Sequence, residues 1–277
     1  MKSFKDKVAA ITGAGSGIGR QLAVQLAGQG CHLSLSDVNE TGLAETVALL
    51  DSMAVRVEAD VVDVANREQV YRWSDKVVAD QGRVNLILNN AGVSMTSTVE
   101  GLTYVELEWI LGINLWGVIH GTKAFLPHIK ASGEGHIVNV SSIFGMCAQP
   151  TQSAYNTSKY AVRGFTEALR LELELEGCAI SATCVHPGGI KTNIIRSGRA
   201  NASVKLGHDK SREQELSATE KVLRTTPEVA AASILSAIQR NESRVVIGGD
   251  AKVMDMVVRL FPMLYQKLVI AAARRRQ

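Results

Sequence analysis

Short runs of apolar residues alternate along this chain with longer segments in which apolar positions recur at helical spacing. The short runs are rich in Val, Ile and Leu and predict seven strands, at residues 8–12, 32–36, 55–59, 86–89, 136–141, 180–185 and 244–247. The longer segments predict helices, which begin near Ile18, Glu40, Asn66, Thr103, Ser153 and Pro227. Each helix is long enough for a right-handed crossover between parallel strands. The pattern therefore predicts a doubly wound α/β fold, with a seven-stranded, mainly parallel sheet covered by helices on both faces.

The pattern favours a single domain of residues 1–277. Its 277 residues, 46% of them hydrophobic, suffice for one large core, and neither a linker nor an internal repeat divides them. Residues 192–225 are polar and charged, so we expect them to leave the sheet as a surface excursion. In doubly wound proteins, ligands bind outside the carboxyl ends of the strands, where long loops gather. The excursion is therefore interpreted either as a substrate lid or as a solvated loop.

Charge and cysteine content argue against several classes of function. The 30 basic residues exceed the 27 acidic ones by only three and are scattered until the last few positions, which argues against a nucleic-acid partner. The four cysteines show neither a CxxC pair nor zinc spacing, which indicates a reduced interior and no metal site. Residues 1–7 are charged and no apolar run reaches the length of a membrane span, so we expect a cytoplasmic protein.

A glycine-rich turn follows the first predicted strand. The sequence TGAGSGIG, residues 12–19, leads from that strand directly into the first helix. Glycines let the backbone approach a pyrophosphate, whose charge is favoured by the free N–H groups at a helix N-terminus. The dinucleotide-binding residues predicted in this turn are Gly13, Ser16, Gly17, Ile18 and Gly19. The alternative is a flexible, glycine-rich turn without a ligand.

Acidic residues mark the ends of the second and third predicted strands. Asp37 lies where a carboxylate about twenty residues beyond the glycine turn hydrogen-bonds the ribose hydroxyls of an adenosine. This charge repels a 2′-phosphate, and neither Ser16 nor Val38 supplies a cation, so NAD is predicted over NADP. Asp60 and Val61 could bracket the adenine ring in the same way. Alternatively, Asp37 and Asp60 each cap the helix that follows.

Tyr155 and Lys159 are spaced i, i+4 at the start of a predicted helix and therefore share one of its faces. An ammonium lowers the pKa of a neighbouring phenol, which would let Tyr155 exchange a proton with an alcohol or carbonyl. Ser142 lies just past the fifth predicted strand, where its hydroxyl can hold the substrate oxygen. Ser141 is the competing candidate, since successive strand residues point to opposite faces. Alternatively, the Tyr–Lys pair has no catalytic role and belongs to an ordinary solvated helix face.

Several short motifs stand in a fixed order along the chain. They are TGxxxGIG at residues 12–19, NNAG at 89–92, Asn114, Ser142, YxxxK at 155–159, and Pro187-Gly188 followed by Thr192. In this order they resemble the classical short-chain dehydrogenases/reductases, from about residue 7 to about residue 247. The resemblance implies a Rossmann fold, a nicotinamide cofactor, and a homodimer or homotetramer.

The same resemblance implies a catalytic tetrad of Asn114, Ser142, Tyr155 and Lys159. In it, Tyr155 is the general acid/base and Ser142 orients the carbonyl. Lys159 is implied to lower the Tyr155 pKa and to bind the nicotinamide ribose, and Asn114 to hold a water in the proton relay. From the residues alone, Asn114 is more typical of a polar packing residue in an apolar helix.

Further cofactor contacts are implied by the resemblance, from Asn90, Ala91, Gly92, Pro187, Gly188, Ile190 and Thr192. Asn90 is interpreted equally well as a brace of the central strands. Backbone groups near Ile190 and the Thr192 hydroxyl are implied to meet the nicotinamide carboxamide. His186 precedes this turn and is interpreted as a packing or hydrogen-bonding residue.

These observations together predict reversible, NAD(H)-dependent oxidoreduction between an alcohol and its ketone or aldehyde. Residues 94–98 and 143–149 are expected to line the pocket, with few charges, which favours a hydrophobic secondary alcohol as substrate. The alternative is a catalytically silent nucleotide-sensing or membrane-surface protein on the same fold. A serine hydrolase is disfavoured because the chain has no GxSxG motif.

Residues 250–277 are predicted to form an apolar, helical extension beyond the last strand. Phe261-Pro262 interrupts this extension, and Arg274, Arg275 and Arg276 follow its apolar part. One interpretation is a helical pair packed over the substrate mouth or at a subunit interface. The other is an interfacial amphipathic segment, with its apolar face in the headgroup region and its arginines on anionic lipid.

Overall fold

The computed structural model describes residues 1–204, 213, 217 and 223–274. Its strands are β1 Val8–Thr12, β2 His32–Asp37, β3 Val57–Val61, β4 Leu86–Asn89, β5 Met95–Thr96, β6 Gly135–Val140, β7 Ile180–Pro187, β8 Arg199–Ala200 and β9 Arg244–Ile247. Seven of them form one parallel sheet in the order β3-β2-β1-β4-β6-β7-β9. The doubly wound α/β fold predicted from the sequence is confirmed. The strand order reverses beside β1, which opens a crevice at the carboxyl edge of β1 and β4.

The helices are α1 Gly17–Ala27, α2 Glu40–Ala48, α3 Arg67–Gln81, α4 Tyr104–Leu111, α5 Gly117–Ala131, α6 Ser153–Glu176, α7 Pro227–Arg240, α8 Gly249–Leu260 and α9 Leu264–Arg274. Polar side chains explain where several of them begin. Asn39, Asn66 and Thr226 each accept a first-turn N–H bond. Thr103 forms a capping box with Glu106. Local chemistry therefore fixes the helix starts that the sequence predicts at these positions.

Several strand boundaries differ from the predicted ones by one or two residues. β3 spans residues 57–61 rather than 55–59, because its register pairs Leu33 with Val57 and Asp37 with Val61. This strand lies at the sheet edge and is largely half-buried or exposed, so its apolar run is a weak guide to its ends. β7 continues to Pro187, which pairs with Ile247 of β9.

Each face of the sheet carries its own apolar core, and alternate residues of β1 serve the two. On one face α1 and α7 pack together, with Leu26 and Ile234 buried between them and the strands. On the other face α3, α5 and α6 bury Trp73, Phe125 and Leu169. The rings of Trp73 and Phe125 meet edge to face at 4.9 Å between centroids. Because helices cover both faces of the sheet, the carboxyl edge is lined by loops.

β5 and β8 pair in a separate two-stranded parallel sheet that the sequence does not predict. Strands of two residues are too short to show a period of two. This small sheet fastens the start of the 192–225 excursion beside α4, where the Arg199 guanidinium lies 3.8 Å from the centroid of the Trp109 ring. Residues 205–212, 214–216 and 218–222 of the excursion lie outside the described part of the chain.

The predicted C-terminal extension forms α8 and α9, which pack against the loop that follows β6. Ala251, Tyr265 and Val269 share a buried apolar cluster with Ile143 and Met146. Within the described residues, no helix is both long enough and apolar enough to cross a bilayer. Arg275 and Arg276, which the sequence places after this pair, lie outside the described residues.

Candidate active site

The glycine turn after β1 is shaped by conformations and contacts that other residues do not tolerate. Gly13 and Gly17 have φ angles of +66° and +54°, in the left-handed region that favours glycine. A Cβ on Gly19 would lie 2.1 Å from the Gly13 carbonyl oxygen, so only glycine lets α1 begin directly against the turn. Ser16 is the N-cap of α1 and makes no side-chain capping bond. The turn and helix together leave N–H groups facing the crevice, as a phosphate site requires.

Asn90 braces this turn from the neighbouring strand. Its Nδ2 donates to the carbonyl oxygens of Thr12 and Gly13, at 3.0 and 3.2 Å. The Thr12 hydroxyl accepts the backbone N–H groups of Asn90 and Ala91, each at 3.0 Å. These contacts give the Asn90 side chain a structural role, the alternative that the sequence left open. A Cβ on Gly92 would lie 3.4 Å from Lys159 Nζ, so the same loop runs beside that lysine.

Asp37 lies at the end of β2 and holds the glycine turn rather than capping α2. Its Oδ2 accepts the Gly15 N–H at 2.8 Å and its Oδ1 accepts the Asn39 N–H at 2.9 Å. The α2 cap is Asn39, so the capping alternative for Asp37 is wrong. Each carboxylate oxygen keeps further lone pairs for other donors. The nearby Arg20 guanidinium is engaged by the Gly15 carbonyl at 2.6 Å and by Glu45 at 2.7 Å.

Asp60 and Val61 end β3, next to Asp37. Val61 pairs with Asp37 in the strand register and is 56% exposed, so its side chain can contact a flat ring. Asp60 forms a half-exposed ion pair with Lys76, at 3.0 Å. It does not cap α3, whose N-cap is Asn66, so the capping alternative is wrong here as well.

Ser142 and Tyr155 meet at the carboxyl edge of the sheet, between β6 and α6. Burial raises the pKa of the Tyr155 phenol, and a hydrogen bond from Ser142 opposes that rise. The Ser142 oxygen also accepts the Phe144 N–H at 3.1 Å. Ser141 points the other way and donates to the Lys159 carbonyl at 2.7 Å. Of the two candidate serines, the structure therefore places Ser142 beside the phenol and gives Ser141 a structural bond.

Lys159 is buried one helical turn beyond Tyr155. Its Nζ donates to the Val140 carbonyl at 2.9 Å and lies 5.7 Å from the centroid of the Tyr155 ring. Burial lowers the pKa of Lys159 to about 8. We expected the ammonium to lower the pKa of Tyr155, but the pKa of that phenol is raised, because desolvation of the buried phenolate outweighs the opposing effect of Ser142.

Asn114 lies in a π-helical stretch, Gly112–Trp116, between α4 and α5. Its side chain is fully buried; Oδ1 accepts the Val93 N–H at 2.8 Å, and Nδ2 donates to the Val93 carbonyl and to Ser158 Oγ at 2.9 and 3.2 Å. The carboxamide thus ties the loop after β4 to α6, as expected of a polar packing residue. Single turns of π-helix are frequent at functional sites.

The turn after β7 closes the other side of the crevice. The Gly189 N–H donates to Asp250 Oδ2 at 2.7 Å, and a Cβ on Gly188 would lie 2.5 Å from the same oxygen. Ile190 is buried, and the Thr192 methyl lies 3.1 Å from the position a Cβ would take on Gly17. Thr192 therefore faces the glycine turn across the crevice, while Pro187 ends β7 and Gly188 and Ile190 form the preceding part of the turn after it.

Three further residues organise the site, and the sequence gives little sign of them. His186 Nδ1 lies 3.0 Å from the Ser142 carbonyl. Asn156 Nδ2 donates to the Phe144 and Cys147 carbonyls, at 2.7 and 3.1 Å, and so holds the loop after Ser142. The third is Asp250, described above. Each of these three side chains bonds to main-chain atoms of another segment of the chain, so motif spacing could not reveal them. His186 alone has a sequence signal, its position directly before Pro187.

The surroundings of Tyr155 are apolar. The Phe144 ring meets the Tyr155 ring edge to face at 6.2 Å between centroids. Met95 and Ile110 are fully buried in the same cluster. Within the described residues, no three His, Cys, Asp or Glu side chains are grouped as metal ligands would be. The site therefore offers hydroxyl and amine chemistry in an apolar setting.

The sequence profile described as "short chain dehydrogenase" matches residues 7–203. The chain therefore belongs to the short-chain dehydrogenase/reductase family, as its motifs indicate. It is 47% identical over 275 residues to a putative oxidoreductase, SadH, of Mycobacterium tuberculosis, covering 99% of this chain and 98% of that protein.

Two solved structures show how closely the fold is shared. A short-chain dehydrogenase/reductase from Burkholderia phymatum in complex with NAD superposes with a TM-score of 0.85 at 29% identity, covering 96% of this chain and 97% of that one. An alcohol dehydrogenase from the archaeon Thermococcus sibiricus, complexed with 5-hydroxy-NADP, has a TM-score of 0.72 at 25% identity, over 87% and 95% of the two chains. The chain is thus an oxidoreductase of this family, and similar structures hold either kind of nicotinamide dinucleotide.

Proposed function

We propose that the protein interconverts a hydrophobic secondary alcohol and its carbonyl compound, using NAD(H) and Tyr155 as the general acid/base. The observation that carries this proposal is the group formed by Ser142, Tyr155 and Lys159. The Ser142 hydroxyl lies close enough to the phenol to lower its pKa, and the lysine is buried beside them. They lie at the carboxyl edge of the sheet, where β6 and α6 meet beside the loop after β4.

The proposed proton chemistry follows from these three side chains. In the reducing direction Tyr155 donates its proton to the carbonyl oxygen, and in the oxidising direction it removes the proton of the alcohol. Ser142 donates a second hydrogen bond to the same oxygen. Because the pKa of Lys159 is about 8, its amine is mostly charged at neutral pH and stabilises the phenolate that forms. NAD(H), when bound, supplies or accepts the hydride.

The residues of the crevice fit a nicotinamide dinucleotide. The turn of Gly13, Ser16, Gly17, Ile18 and Gly19 would hold the pyrophosphate, and Asp37 the adenosine ribose, with Asp60 and Val61 beside the adenine. The nicotinamide half would lie among Ala91, Gly92, Tyr155, Lys159, Pro187, Gly188, Ile190 and Thr192, with Asn114 and Asn90 supporting it. Two features support NAD over NADP. The Asp37 carboxylate lies at the end of β2 against the glycine turn, and the Arg20 guanidinium is held by the same turn and by Glu45.

Support for a hydrophobic substrate comes from the apolar cluster at Tyr155. Phe144 and Met95 pack there, and Met146 lies in the loop that follows Ser142. A ketone or alcohol would place its oxygen between the two hydroxyls and its carbon chain against these side chains. Burying apolar surface of the substrate contributes about 25 cal/mol per Å².

We also propose a homodimer or homotetramer working in the cytoplasm. An oligomer is supported by the apolar side chains that α6 and the π-helical stretch leave exposed, among them Trp116, Leu171 and Leu175. A cytoplasmic location is supported by the four cysteines, which are all free and mostly buried.

The proposal is tested with a panel of alcohols and ketones, assayed by reduced-cofactor absorbance with NAD and NADP in parallel. Two matched variants make the test specific to the site. Ser142→Ala removes the hydrogen bond to the substrate oxygen and should lower kcat by roughly 10²-fold or more. Ser141→Ala removes only a structural bond to the Lys159 carbonyl, costs about 1 kcal/mol of stability, and should keep kcat near that of the wild type.

Equal losses in the two serine variants would contradict the assignment of Ser142. A strong preference for NADP would overturn the argument from Asp37. Tight NAD binding without turnover of any compound in the panel would favour the catalytically silent alternative.

A further inference from the structure

The C-terminal helix pair buries only one of its sides. Ala251 of α8 and Tyr265 and Val269 of α9 face the protein and pack on the loop after Ser142. The Tyr265 hydroxyl accepts the Ala148 N–H at 3.4 Å, which fixes α9 to that loop. The pair is therefore firmly seated, and its outward side is a defined surface.

That outward side is apolar along its whole length. Its exposed apolar residues, here called the hairpin face, are Val253, Met256, Leu260, Phe261, Met263, Leu264 and Leu268. Val253, Met256 and Leu260 follow the i, i+3, i+7 spacing of one helix stripe, and Leu264 and Leu268 continue it on α9. The turn between the helices is exposed as well, with Phe261 at 52% and Met263 at 77%. A contiguous patch of this kind marks an interaction site.

Basic residues border the hairpin face. Lys252 and Arg259 lie along one edge of the α8 stripe, and Lys267 and Arg274 along the corresponding edge of α9, all of them exposed. From Gly249 onward the sequence has six basic residues and two acidic ones, Asp250 and Asp255.

Both acidic residues are already occupied by the protein itself. Asp250 accepts the Gly189 N–H, and Asp255 is bound by Arg244 and Arg259, at 2.8 and 3.1 Å. The outward charge of the hairpin is therefore positive.

We propose that the hairpin face docks on an anionic lipid surface, with α8 and α9 lying in the plane of the interface. Apolar side chains would enter the headgroup region while Lys252, Lys267 and Arg274 at its borders reach lipid phosphates, an arrangement that long basic side chains favour. A second copy of the chain fits less well, because a twofold contact would bring two basic borders together without free carboxylates. Neither helix is long and apolar enough to span the bilayer, so the contact is peripheral.

Vesicle flotation of the full chain tests this surface. We expect the wild type to float with vesicles of mixed phosphatidylcholine and phosphatidylglycerol, and to stay in the soluble fraction with phosphatidylcholine alone. Phe261→Ser/Met263→Ser should lower the partition coefficient at least about tenfold, because two apolar side chains no longer enter the interface. The matched control is Val99→Ser/Tyr104→Ser, which replaces side chains that are 77% and 84% exposed elsewhere and should float like the wild type.

A charge pair completes the experiment. Lys252→Glu/Lys267→Glu should also lower partitioning about tenfold or more, whereas Lys123→Glu, on the exposed side of α5, should not. Circular dichroism and thermal unfolding of each variant check that the fold is kept. Wild-type protein that never floats, or hairpin variants that float as well as wild type, would overturn the proposal. Light scattering that shows Phe261→Ser/Met263→Ser dissociating an oligomer, without any vesicle binding by wild type, would assign the face to a second copy instead.

Discussion

Gly19→Ala is the substitution that tests most directly how the glycine turn is built. The new Cβ would lie 2.1 Å from the Gly13 carbonyl oxygen and 2.6 Å from Asn90 Nδ2. Ordinary contacts between such atoms are above 3 Å, so α1 must move away from the turn by about 1 Å. Overpacking of this kind costs about 1–3 kcal/mol. It also displaces the N–H groups that would hold a pyrophosphate, so the Kd for NAD should rise at least about tenfold.

The control for this variant is Gly164→Ala, in the middle of α6. Outside its chain neighbours and the backbone of its own helix, no atom of the described residues lies within 4 Å of the position where its Cβ would be built. Alanine is favoured over glycine inside a helix by about 0.5–1 kcal/mol, so this variant should be slightly more stable than the wild type. Urea unfolding followed by tryptophan fluorescence gives the stabilities, and calorimetric titration with NAD gives the Kd values. The reasoning is refuted if Gly19→Ala unfolds at the wild-type midpoint and binds NAD with wild-type affinity.

Three other side chains give predictions that can be checked on the same protein. Asn90→Ala removes the amide that braces the glycine turn and should cost about 1–3 kcal/mol in urea unfolding, with weaker NAD binding. The pKa of Lys159 is about 8 in the folded protein, against a usual value of 10.5. Between pH 8 and 10.5 the unfolded chain therefore binds more protons than the folded one, so stability rises with pH. Relative to Lys159→Met, the free energy of unfolding of the wild type should rise by up to about 3 kcal/mol over this range. A flat difference across that range would show that the amine is not buried. His186→Leu leaves the Ser142 carbonyl without its hydrogen-bond donor and should lower kcat. In His186→Asn the amide nitrogen can take the position of Nδ1, so kcat should stay near the wild-type value. Equal kcat values for the two variants would show that His186 does not position Ser142.

The sequence predicts those parts of the fold that have a local signal. Buried parallel strands appear as Val-, Ile- and Leu-rich runs, and Asn66 and Thr103 cap helices near where the pattern predicts their starts. β5 and β8 are not predicted, because a strand of two residues is too short to show alternating apolar and polar positions. The half-exposed edge strand β3 is shifted because its ends are set by pairing with β2 rather than by its own composition.

The site divides in the same way. The motifs place Tyr155 and Lys159 on one helix face, but spacing could not choose between Ser141 and Ser142, which the turn out of β6 separates. The role of Asp250 depends on a contact between distant parts of the chain, which no local pattern records. The raised pKa of Tyr155 depends on burial, which becomes visible only when β6, α6 and the surrounding loops are assembled.

The most direct measurement of the central claim is the turnover of Tyr155→Phe beside its affinity for NAD. The substitution removes one hydroxyl and keeps the ring that packs against Phe144. We predict that kcat falls by roughly 10²–10⁴-fold, the contribution expected of a general acid/base, while the Kd for NAD stays close to that of the wild type. Wild-type turnover by Tyr155→Phe would contradict the account, because the proton would then reach the substrate from another group.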